Sequence, residues 1–124
     1  MKIARFSLLS SLLLLVLATM HIGRPVCTVS SAYSRLSKDL VKLRSILEQL
    51  QPAMLYASDA RTYGAALDCW DGPARKVLSH GAEEVPGALP FSHLLTGTES
   101  AAVAAAFAAL RPETEAKYLL TSGS

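Results

Sequence analysis

Residues 31–51 read SAYSRLSKDLVKLRSILEQLQ, and their apolar spacing decides the expected fold. Tyr33, Leu36, Leu40, Leu43, Leu47 and Leu50 recur at alternating intervals of three and four, which lines them along one stripe of an α-helix. Arg35, Lys38, Asp39, Lys42, Arg44 and Glu48 fall off that stripe. Ser34 or Ser37 caps the start and Pro52 marks the end. The stripe is too short for a coiled coil, so it is read as the core face of a small bundle.

The chain around it supplies weaker helical signals. Ser58 and Asp59 offer a cap for a helix over 59–69, although Gly64 lowers its propensity. Asp71-Gly72-Pro73 is a turn signal, Ala74–His80 reads as one or two helical turns, and Gly81–Gly97, with Pro86, Gly87 and Pro90, reads as a loop. Thr98 is a candidate cap for an Ala-rich helix to about Leu110. Pro112 suits the first position of a last helix carrying Tyr118, Leu119 and Leu120. No segment alternates as a strand does. The expectation is therefore an all-α fold, a bundle of three or four helices, marginal in its second half.

The start of the chain reads as a secretory leader. Lys2 and Arg5 precede the apolar run Leu8–Ala18, LLSSLLLLVLA, which falls short of the ~20 residues that span a bilayer. A cut after Gly23 leaves 24–124 as a single domain and puts a small residue at the last leader position but His21 at the third-last; cuts after Ser30 or Ala32 put small residues at both. The expected product is secreted and extracellular, with no stable membrane anchor. The net charge of +2 belongs to the leader, since ten basic residues then face ten acidic ones, which argues against nucleic acid as a partner. The sequence has no Asn and hence no N-glycosylation site. Cys27 and Cys69 are candidates for one disulfide if the cut precedes Cys27; otherwise Cys69 is alone.

No nucleophile elbow, metal box or phosphate-cradling glycine loop stands out, so neither an enzyme nor a cofactor or metal is expected. His80 and His93 read as isolated histidines, and Glu83-Glu84 as a solvated pair. Arg75-Lys76 is a dibasic pair, which keeps open a precursor of a secreted peptide hormone processed there.

The string from Lys38 to Trp70, KDLVKLRSILEQLQPAMLYASDARTYGAALDCW, resembles the opening of interleukin-15 and interleukin-2 type short-chain cytokines, most of all fish interleukin-15. Asp39-Leu40, Ala53-Met54-Leu55-Tyr56-Ala57 and Cys69-Trp70 carry the resemblance. It implies an up-up-down-down four-helix bundle that binds cell-surface cytokine receptor chains and signals to lymphocytes. It implies that Asp39 contacts the receptor β chain and Tyr56 the private α chain. The family's further cysteine position is Thr62 here, its acidic position after the Cys-aromatic pair is Pro73, and the likeness fades beyond Trp70, which leaves a non-signalling isoform as an alternative.

Overall fold

The computed structural model describes residues 8–30 and 40–120, and its contacts divide the chain into two units, one of residues 1–28 with 97–124 and one of residues 29–96. Both units hold parallel strands beside helices, so the expected all-α four-helix bundle is replaced by a mixed α/β fold.

In the unit of residues 29–96, helix α2 (Leu40–Leu50) buries Leu43 and Leu47, as the stripe predicts; Tyr33, Leu36 and the candidate caps Ser34 and Ser37 lie outside the described residues. Strand β2 (Met54–Asp59) follows, then helix α3 (Ala60–Asp68) and strand β3 (Arg75–His80). A 3-10 turn at Ala82–Glu84 leads to the two-residue strand β4 (Leu89–Pro90) and helix α4 (Phe91–Leu94). The sheet order is β2-β3-β4, all parallel, with Tyr56 opposite Val77, Asp59 opposite His80 and Val77 opposite Leu89. Pro90, which lacks an N–H, sits on the outer strand, where a ladder tolerates it.

The segment expected as helical turns, Ala74–His80, is thus largely the central strand. Its short apolar pair, Val77-Leu78, satisfies a helix or a strand equally on local grounds. Burial decides the matter. Successive strand residues face opposite sides of the sheet, and Val77 and Leu78 are both 0% exposed, so both faces are covered at the centre. On one face Leu55, Ala57 and Leu78 pack with Ala60 and Leu67 of α3 and with Ala82 and Val85. On the other, Tyr56 meets Phe91 edge-on, with ring centroids 6.1 Å apart. A second cluster joins Leu43 and Leu47 to Ala66 and Trp70, with Leu55 shared between the two clusters.

The expected helix over 59–69 forms as α3, and of the two candidate caps, Ser58 and Asp59, it is Asp59 that serves: its carboxylate accepts from the Thr62 N–H at 2.8 Å. Gly64 lies inside it with nothing within 4 Å of the place a Cβ would take. Gly64→Ala is expected to stabilise this unit by about 0.5–1 kcal/mol through helix propensity. A thermal melt followed by the fluorescence of Trp70, the single tryptophan, should show a rise of roughly 3–6 °C.

In the other unit, helix α1 (Leu8–His21) ends in a Schellman turn. Gly23 takes φ +75°, its N–H donates to the Met20 carbonyl, and the Arg24 N–H donates to the Thr19 carbonyl. Strand β1 (Val26–Cys27) then pairs parallel with strand β5 (Lys117–Tyr118). Helix α5 (Ala101–Ala108) is capped by Ser100, whose hydroxyl accepts from the Val103 N–H at 3.3 Å, and not by Thr98. The last helix expected from Pro112 is absent among the described residues. Thr114 instead closes a turn with Arg111, exchanging a backbone and a side-chain hydrogen bond of 3.0 Å each, and the chain enters β5. The His21 ring stacks on Phe107 with centroids 4.2 Å apart and planes 12° apart. A Cβ on Gly23 would stand 3.2 Å from Leu110. The end of the expected leader is therefore packed within this unit.

Candidate functional site

Parallel sheets bind ligands outside the carboxyl ends of their strands, because side chains and helix termini converge there. In the β2-β3-β4 sheet that edge collects Ser58 and Asp59 from β2, Ser79 and His80 from β3, and Gly81 just beyond. The Tyr56 hydroxyl lies 2.6 Å from the Ser79 hydroxyl, a cross-strand hydrogen bond that fixes both groups. The Ser58 hydroxyl donates to Asp59 Oδ2 at 3.1 Å, while Oδ1 holds the start of α3. Gly81 has φ +76°, and a Cβ there would approach that of Ala60 to 3.0 Å, so the turn after β3 closes tightly on the start of α3.

The electrostatics follow from these contacts. The Thr62 backbone N–H above all, against the opposing effect of burial and helped by the Thr62 and Ser58 hydroxyls and by His80, holds the Asp59 carboxyl below its ordinary range. Asp59 therefore occupies the amino end of α3 as a carboxylate. That position would otherwise attract an external anion. The remaining accepting capacity of Asp59 and the imidazole of His80 suit a ligand carrying hydroxyl or amine groups.

Removing this cap has a definite cost. Asp59→Ala is expected to destabilise residues 29–96 by about 1 kcal/mol. The stabilisation that depends on the carboxylate is complete above its unfolded pKa of about 3.9 and is lost as pH falls through the lowered folded value. Urea unfolding at pH 7 and at acid pH checks both: the variant's deficit should shrink in acid, where the native carboxyl is protonated.

The residues singled out by the sequence fall in different places. Asp39 lies outside the described residues. Tyr56 is in β2, half-buried, with its hydroxyl on Ser79 and its ring against Phe91, so it anchors one sheet face. Cys27 is in β1 and Cys69 follows α3; both are free half-buried thiols, in different units. Burial pushes both thiols up, at Cys69 against the pull of Arg44 and Lys76, so both stay protonated and weakly nucleophilic at neutral pH. Arg75 and Lys76 open the central strand, the Arg75 N–H donates to Ala53, and Lys76 Nζ lies 3.3 Å from Asp68. A convertase would have to strip β3 from the sheet to reach the dibasic pair. His80, read as isolated, stands opposite Asp59. Strand, Asp cap, helix and strand in MLYASD-ARTYGAALD-RKVLSH is the pattern that signals this edge, and it is hidden because RKVLSH on its own fits a helical turn as well as a strand.

The elements define the class of the molecule as mixed α/β with parallel sheets. Comparison with protein-family models, with curated proteins and with solved structures finds no match to this chain.

Proposed function

We propose that residues 29–96 form a ligand-binding module of the parallel α/β type, holding a small polar molecule at the carboxyl ends of β2 and β3. The observation that supports this is the convergence of the Tyr56–Ser79 pair, Ser58, Asp59 and His80 on that one edge. Asp59 fills the anion position of α3, so the ligand class is hydroxyl- or amine-bearing and not phosphorylated.

Calorimetric titration with a panel of polyols, amino sugars, amines and their phosphorylated forms tests the reading. A ligand from the unphosphorylated group, bound by the natural chain and weakened at least tenfold by His80→Ala, fits it. A panel without binding, or binding unaffected by that substitution, removes it.

Receptor bridging on lymphocytes was implied through a helical bundle, and the parallel sheet withdraws that structural support. Tyr56, assigned by the resemblance to a receptor contact, is committed to Ser79 and Phe91. Secretion through a leader ending at Gly23 has one direct test. Cutting there would remove α1 and with it the His21–Phe107 stack. Amino-terminal sequencing of the mature chain separates retention of α1 from its loss.

A further inference from the structure

We draw no further inference here: the strongest candidate, the outer edge of strand β2 (Met54–Asp59), which among the described residues pairs on one side only, with β3, carries nothing because nothing in the structure shows what covers it.

Discussion

Leu78→Ala is expected to remove about 2–5 kcal/mol from the stability of residues 29–96. Leu78 is 0% exposed in the central strand and touches α3, the 3-10 turn and β2 through one apolar cluster. Truncation leaves a cavity that three elements would have to move together to close. A unit of 68 residues has a total stability of only about 3–10 kcal/mol. The upper part of the expected loss therefore unfolds it outright, and the lower part moves its urea midpoint by about 1–2 M. Trp70 fluorescence reads this unit alone. Val41→Ala is the control: Val41 is 79% exposed on α2, and its truncation should change stability by less than about 0.5 kcal/mol.

The second large effect is expected at Gly72. A Cβ there would run into Cζ2 and Cη2 of the Trp70 ring. The ring cannot yield freely, because it is buried against Leu43, Leu47 and Ala66. Gly72→Ala must displace either the ring or the Asp71-Gly72-Pro73 turn that delivers the chain to β3. The cost of such overpacking is about 1–3 kcal/mol, with a shifted Trp70 emission. Urea unfolding followed by circular dichroism in a double-mutant cycle isolates the cause. In a Trp70→Leu background the clash is gone, and the Gly72→Ala penalty should fall by at least 0.5 kcal/mol. A penalty unchanged in that background would place its origin in the turn's backbone and not in the ring.

Both effects concern features that were partly legible in the sequence. Asp71-Gly72-Pro73 reads as a turn from its residue types alone, yet nothing local shows that Trp70 folds back over it. The helical stripe of α2 and the Asp59 cap were equally legible. Each depends on neighbours within four residues, and the physics of a cap or a stripe is complete at that range. The candidate site was half visible: Asp59 is a recognisable cap, but its position opposite His80 depends on β3 being a strand.

What the sequence determined by itself is therefore local: that the stripe over 40–50 is helical, where α3 runs, that Ser58 or Asp59 caps it, where the chain turns at 71–73, and that ten acidic residues balance ten basic ones once Lys2 and Arg5 are set aside. What only the tertiary structure decided is the class of the fold. Residues 75–80 and 117–118 are short, and their apolar content fits either period. They become strands because partners far along the chain, β2 for β3 and β1 for β5, satisfy their backbone groups, and for Val77 and Leu78 because both sheet faces cover their side chains. Parallel pairing joins strands that a crossover separates in sequence, so the interaction that selects the strand lies outside any local window.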